Sequence, residues 1–255
     1  GLAMNIDKVA ADQNWAKILP GPVAKGMQCD GHFVAVPFNL HRINWVWINK
    51  SAMEKADAAM PTDWNSFVAA LKKLKAAGIT PIAGGGDTWQ VATEFDAVAL
   101  ATGGADFYRK AFVELDEDAL SGPQMIKSLE RLRTLQRYED PNGQGLAWNH
   151  DTGLVVKGEA GMQIMGDWAK GEITNAGATP GDEIACMALP GEHTGFVYNA
   201  DSFEMFKNSN SDEAAQYAFA RTALSPAFQR KFNKAKGSIP VRQGVSLEGF
   251  DACAQ

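Results

Sequence analysis

The sequence has little of what most dedicated chemistries require. It holds three cysteines in 255 residues, Cys29, Cys186 and Cys253, too few for a disulfide-dense scaffold and too far apart for a metal-ligand spacing. Its four histidines, His32, His41, His150 and His193, are scattered, with no pair at helical ligand spacing. A nucleophile-elbow G-x-S-x-G, an HExxH and a CxxC are all missing. Apolar runs fall well short of the roughly 18–20 residues that a membrane span needs, and no basic leader precedes one, so the chain is expected to be mature and soluble. Lys and Arg total 24 against 30 Asp and Glu, a formal charge of −6, and the basic residues form no cluster, which argues against nucleic acid as a partner. What remains is a globular composition, 45% hydrophobic and 21% charged, long enough for one large domain or two smaller ones. Tryptophan stands out, with seven against four tyrosines.

Helical and strand-like segments alternate along the chain, an α/β pattern without internal repeats. A short helix with Val9, Trp15 and Ile18 breaks at Pro20-Gly21-Pro22. The β-rich run 31–39 contains Pro37, which suits an edge or a crossover, and 43–49 is a second strand. Thr62 is the expected N-cap of a helix whose stripe is Trp64, Phe67, Val68, Leu71 and Leu74, with Gly78 as its stop. Further helices are expected over 89–101, over 124–138 with Ile126, Leu129, Leu132 and Leu135 in register, over 212–224 and over 226–236. Short strands are expected at 160–166, 195–199 and 202–206, with a helix beginning at Asp167-Trp168.

Few segments suggest a site. Gly84-Gly85-Gly86-Asp87 lacks the Lys-Ser/Thr partner of a phosphate loop and reads as a turn into the following helix. Glu114 to Asp118 reads as a solvated acidic loop, since a catalytic dyad needs carboxylates converging in a cleft. Metal chemistry finds no support. The tryptophans divide: Trp64, Trp45 and Trp47 fit core positions, whereas Trp89, Trp148 and Trp168 each lie at a loop-to-helix junction beside polar residues. A flat apolar ring beside amide and carboxylate groups suits a sugar, whose CH face can stack on it; from composition alone, packing and sugar stacking both stay open. By spacing alone the cysteines allow one bridge plus a thiol, or three reduced thiols.

Several long strings carry a resemblance. They are the runs 30–45 (DGHFVAVPFNLHRINW), 62–64 (TDW), 103–112 (GGADFYRKAF), 157–172 (KGEAGMQIMGDWAKGE) and 235–242 (AKGSIPVR). Together they resemble the periplasmic glucose-binding proteins of bacterial ABC importers, within the larger family of extracellular solute-binding proteins that includes maltose-binding protein. The resemblance implies a two-lobed α/β periplasmic-binding-protein fold with a hinge and the sugar between the lobes. Residues 1–40 and 190–248 would belong to the N-terminal lobe, and 42–188 with 249–255 to the C-terminal lobe. It also implies a non-enzymatic receptor without cofactor or metal that binds glucose, galactose or mannose and delivers it to membrane permease subunits.

Carried over by motif, Trp168 resembles the ring that stacks on the sugar, and Trp148 a second aromatic wall. Asp201 resembles the carboxylate that accepts two sugar hydroxyls, and Lys236 the cation that donates to them. Charge-assisted bonds of this kind are worth about 1.5–3 kcal/mol each. Asn39, His41, Trp89 and Gln90 are further candidates.

Family members are longer, with an earlier portion of the first lobe and later helices that add sugar contacts. The chain is therefore expected to be truncated at both ends, with its first lobe incomplete, and to bind glucose weakly or not at all in calorimetry. It is expected to be monomeric at full length, with oligomers open to the truncated form. An oxidising periplasm admits a disulfide, and the resemblance places Cys186 and Cys253 beside two chain crossings, implying that they pair and that Cys29 stays free. The competing readings are a carbohydrate-active enzyme such as a glycosidase, which needs a cleft carboxylate pair beside the tryptophans, and a structural module completed by another chain.

Overall fold

In a computed structural model, residues 2–143, 145–207 and 212–255 are described. The chain divides into two compact units, residues 1–41, 199–250 and 254–255 in the first and 42–198 and 251–253 in the second. Residues 190–198, expected with the first, belong to the second.

The first unit opens with three short helices, α1 (Asp7–Asp12), α2 (Trp15–Ile18) and α3 (Gly21–Gly26). Pro20-Gly21-Pro22 does more than break a helix: Pro22 sits in the first turn of α3, where its missing N–H costs nothing. The hairpin β1 (Gln28–Cys29) and β2 (His32–Phe33), then β3 (Ala35–Pro37) and β4 (His41–Arg42), lead to the first crossing.

The second unit holds β5 (Trp45–Asn49), α4 (Lys50–Lys55), α5 (Trp64–Ala76), β6 (Thr80–Ile82), α6 (Thr88–Phe112), α7 (Glu117–Ser121), α8 (Pro123–Gln136), α9 (Trp148–Lys157), β7 (Ala160–Ile164), α10 (Ala169–Asn175) and β8 (Ile184–Ala188). The chain returns through β9 (Tyr198–Asn199) to β10 (Ser202–Glu204), α11 (Glu213–Ala223) and α12 (Pro226–Lys236) in the first unit. Among the described residues no helix is long and apolar enough to cross a membrane.

A four-stranded sheet in the order β6-β7-β5-β8 organises the second unit, with β5 antiparallel to both neighbours and β6 parallel to β7. Strand alternation sends Val46 and Ile48 into one core with Phe67, Leu71, Leu74 and Leu135, and Trp45 and Trp47 into the other with Val155, Ala169 and Ile173. Helices therefore cover both faces. The first unit packs Ile6, Val9, Trp15, Val36, Ala220 and Leu224 into a core of its own around the β3–β10 pair.

Local chemistry corrects several expectations. Asp63, rather than Thr62, caps α5, in a reciprocal capping box with Ser66. The strand expected over 195–199 is limited to β9. Helix 88–112 runs past Ala101 and kinks at Gly104, whose φ of 78° a side chain would resist. The largest departure is α8. Its buried face is Met125, Ser128, Arg131 and Leu135, while Ile126 and Leu129 are 55% and 51% exposed. Arg131 turns inward because Glu192 receives it through two bonds of 2.6 Å and the Trp64 ring covers it at 4.6 Å. Cys186 and Cys253 form a disulfide, and Cys29 is free and exposed.

Candidate functional site

The proposed ligand groups fall into two clusters, one in each unit.

In the first unit the segment after β3 ends in Asn39 and His41, both buried. Asn39 Nδ2 donates to Asp201 Oδ2 at 2.7 Å, and the Asp201 backbone N–H donates to Asn39 Oδ1 at 2.8 Å. His41 Nε2 lies 3.0 Å from Asn39 Nδ2 and 3.3 Å from Asp201 Oδ2. Asp201, with 41% of its side chain exposed, is thus an oriented carboxylate with capacity to spare for further donors. Lys236 ends α12, exposed ahead of Gly237, whose left-handed φ of 86° closes the helix. It makes no hydrogen bond to Asn39, His41 or Asp201 among the described residues.

Sequence reasoning missed the groups that hold this cluster in place. Gln229 and Asn233, one turn apart on α12 and fully buried, both donate to the Phe38 carbonyl, at 3.2 and 3.0 Å. Gln229 Oε1 accepts from Val241 N, and Ser238 Oγ donates to Asn233 Oδ1. Two amides at i and i+4 on an otherwise basic helix were the available signal.

In the second unit Trp168 follows β7 through Met165-Gly166-Asp167 and precedes α10. Its ring lies flat against Gly166, where a Cβ would stand 2.4 Å from ring carbons. Ile43, Leu100 and Val197 back it. Trp89, 42% exposed, tilts toward it at 53° with centroids 6.3 Å apart. Trp148 opens α9 and packs in the same cluster as Trp168. Its carbonyl accepts from Gln163 Nε2 and Thr152 Oγ1 at 3.0 and 3.1 Å. The three junction tryptophans thus share one region, two of them partly buried and one exposed. Gln90 differs: it is 1% exposed, its amide N–H groups directed to Asp87 and to the Leu146 carbonyl, and its head lies against Gly85.

Behind this aromatic region lies a carboxylate cluster that the sequence did not reveal. Glu94 and Asp151 are buried and Glu139 is partly so, and one oxygen of each glutamate and both of Asp151 accept no hydrogen bond, with His150 Nδ1 3.8 Å from Asp151 Oδ1. Burial, with Glu139 and Asp151 nearby, pushes the Glu94 carboxyl well up; burial also raises Glu139, and Asp151 to about 6. Both glutamate heads lie against Gly84, where a Cβ would stand 3.3 Å from Glu139 Cδ and 3.3 Å from Glu94 Oε1. A glycosidase pair flanks its substrate in an open cleft, whereas Glu94 and Asp151 are buried, so this cluster does not supply one. No group of three or more acidic, His or Cys side chains among the described residues is arranged to hold a metal.

With this geometry established, residues 1–230 match the family model described as bacterial extracellular solute-binding protein. The chain belongs to that family. This places it among binding proteins rather than enzymes. Curated relatives from Brucella suis and Rhizobium meliloti, each called a probable sugar-binding periplasmic protein, are 46% identical over all 255 residues. The chain spans 60% and 61% of their lengths. Among solved structures, the bacterial solute receptor AcbH, described as having an exclusive substrate preference for β-D-galactopyranose, superposes with a TM-score of 0.82 at 18% identity. That match covers 99% of this chain and 65% of AcbH. The fold is therefore the two-lobed α/β fold of solute-binding proteins.

Proposed function

We propose that the chain is the ligand-binding part of a periplasmic sugar receptor that takes glucose or a related hexose, galactose or mannose, and passes it to the membrane permease of an ABC importer. The family and the names of the relatives support a sugar receptor. The observation that carries the hexose reading is the Trp168 ring, fixed on Gly166 and flanked by the exposed ring of Trp89, a platform suited to the CH face of a pyranose. In the first unit Asp201, oriented by Asn39 and His41, supplies the acceptor for a pair of hydroxyls, and Lys236 supplies the donor. On this reading the unit of residues 1–41 and 199–250 is part of the N-terminal lobe, and the unit of 42–198 with 251–253 is most of the C-terminal lobe. Trp148 is the second wall, while Gln90 acts from behind the platform. Closure on the ligand is a hinge motion at the crossings, stabilised by contacts made only when closed.

Calorimetry and tryptophan fluorescence with glucose, galactose and mannose, carried into the millimolar range, test this reading. The expected result is a saturable response to one of the hexoses that disappears in Trp168→Ala and in Asp201→Ala. A folded protein whose Trp168→Ala form responds to hexose as the parent does would overturn the platform assignment.

A further inference from the structure

Arg42 follows the first crossing directly and is tied to the surroundings of Trp168 by two separate routes. Through its main chain it exchanges bonds with Asp167, the residue before the ring: Asp167 Oδ2 accepts from Arg42 N at 3.1 Å, and Asp167 N donates to the Arg42 carbonyl at 2.9 Å. Asp167 is buried, 2% exposed, in the turn between β7 and α10. Through its side chain Arg42 holds the segment behind the ring. Its Nη2 donates to the Gly195 carbonyl at 3.0 Å and its Nε to Asn44 Oδ1 at 3.2 Å. Buried Asn44 completes the same link, donating to Gly195 O at 3.1 Å and accepting from Val197 N at 3.1 Å. Ile43 N donates to the Val197 carbonyl at 3.0 Å. Ile43 and Val197 are two of the three residues that back Trp168.

The guanidinium is itself fixed, lying 4.1 Å from the Trp45 ring centroid and 5.3 Å from that of Phe196. A half-buried cation held between two aromatic faces with its fork on two acceptors has little freedom left. A lysine keeps the charge but cannot present two in-plane N–H groups to Asn44 and Gly195. Nothing in this arrangement gives Arg42 a direct contact with ligand; its bonds end on the ring's own turn and on the ring's backing.

We infer that Arg42, with Asn44 and Asp167, is a positioning residue that sets the Trp168 ring, so that ring order and hexose stacking depend on the residue at the crossing. This rests on the reading of Trp168 as the sugar platform, and the test separates the two. The whole 255-residue protein is labelled with 5-fluorotryptophan, and fluorine NMR resolves its seven tryptophans, with Trp168→Phe identifying the signal of interest. In Arg42→Ala and in Asp167→Ala the Trp168 signal is expected to move toward that of free 5-fluorotryptophan, while Trp47 and Trp64 keep theirs. Asp167→Asn, which retains an acceptor oxygen, is expected to restore it. Should the alanine variants unfold, Arg42→Lys is expected to shift Trp168 selectively, because the fork and not the charge is lost. A Trp168 signal unmoved in folded Arg42→Ala and Asp167→Ala, or in Arg42→Lys, overturns the inference. Glucose, galactose and mannose are then titrated into the millimolar range: the parent's Trp168 signal is expected to respond to one of them, and Arg42→Ala to need about tenfold more of that sugar. A ring that moves in the variants but never responds to glucose, galactose or mannose sinks the platform reading and leaves the positioning role standing.

Discussion

Asn39 and Asp201, 162 positions apart, are joined by a reciprocal pair of hydrogen bonds, side chain to side chain at 2.7 Å and backbone to side chain at 2.8 Å. Because Asn39 is fully buried, each of its amide groups has little but this partner and His41 to satisfy it, and the pair fixes the carboxylate before any ligand arrives. Asn39→Ala should cost about 1–3 kcal/mol of stability, since it strands the Asp201 N–H and a carboxylate oxygen; chemical denaturation measures it. Asn39→Asp is the sharper variant. It sets two carboxylates within hydrogen-bonding distance, so one must hold a proton, and its deficit relative to the parent is expected to be small near pH 4 and to grow toward pH 8. A deficit independent of pH would show that the two groups do not face each other.

The Glu94–Glu139–Asp151 cluster gives the parent protein a pH signature of its own. Folding raises these carboxyl pKa values, Asp151 to about 6, so the folded state keeps protons that the unfolded chain releases. Their stabilisation is complete below the ordinary carboxylate range and is lost as pH rises through the folded values. For Asp151 the window runs from about 4 to 6; His150 opposes the shift and Asp140 adds to it. Glu94→Gln supplies a permanent donor to Glu139 without a proton to lose, so its melting temperature is expected to exceed the parent's at pH 7–8 and to converge with it near pH 4. A variant less stable than the parent at both pH values would refute this account.

Lys170 and Asp251 make a second test, since they join α10 to the 251–253 segment at 3.2 Å with the lysine 3% exposed. Removing one member of a buried pair leaves the other uncompensated, so Asp251→Ala should destabilise by about 3–5 kcal/mol. Replacing both, as Lys170→Met with Asp251→Ala, is expected to recover much of that loss. A thermodynamic cycle over the two positions reads the coupling.

The disulfide between Cys186 and Cys253 spans 67 positions and anchors the same segment to β8. Closing a loop of that length should stabilise by about 4 kcal/mol through the unfolded chain. Reduction, or replacement of both cysteines by serine, is expected to lower the denaturation midpoint accordingly. Equal midpoints with and without reductant would show the bridge to be energetically idle.

Much of the architecture was legible because local signals agreed with global ones: the striped α5, although its cap is Asp63 and not Thr62, the alternation in β5 that separates Val46 and Ile48 from Trp45 and Trp47, and Pro226 at the start of α12. The junction tryptophans were legible as a group because each stood beside polar residues at a loop. What stayed hidden was held by distant partners. Glu94 and Glu139 sit in unrelated sequence contexts, and only the fold brings them together. Gln229 and Asn233 offer only their spacing as a signal until the Phe38 carbonyl is placed against them. The expected stripe of Ile126, Leu129, Leu132 and Leu135 left Arg131 out because its partner Glu192 is 61 positions away, and the buried face of α8 turns to Met125, Ser128 and Arg131 with Leu135 kept.

The rotation of α8 can itself be tested by stability. If Ile126 and Leu129 formed the core stripe, truncating either would open a cavity and cost about 2–5 kcal/mol. They face outward instead, and Met125 takes the buried position at 7% exposure. Ile126→Ser and Leu129→Ser are therefore expected to change stability by no more than about 0.5 kcal/mol, whereas Met125→Ala should cost about 2 kcal/mol or more. Arg131→Leu discriminates further: on an outward face it would be nearly neutral, but here it strips Glu192 of the guanidinium that holds its carboxyl down to about 2. That variant is expected to lose stability mainly above pH 4, where Glu192 is ionised in both states and keeps only the exposed Lys127 as a partner. Equal losses at pH 3 and pH 7 would mean that packing against Trp64, rather than the ion pair, is what draws Arg131 inward.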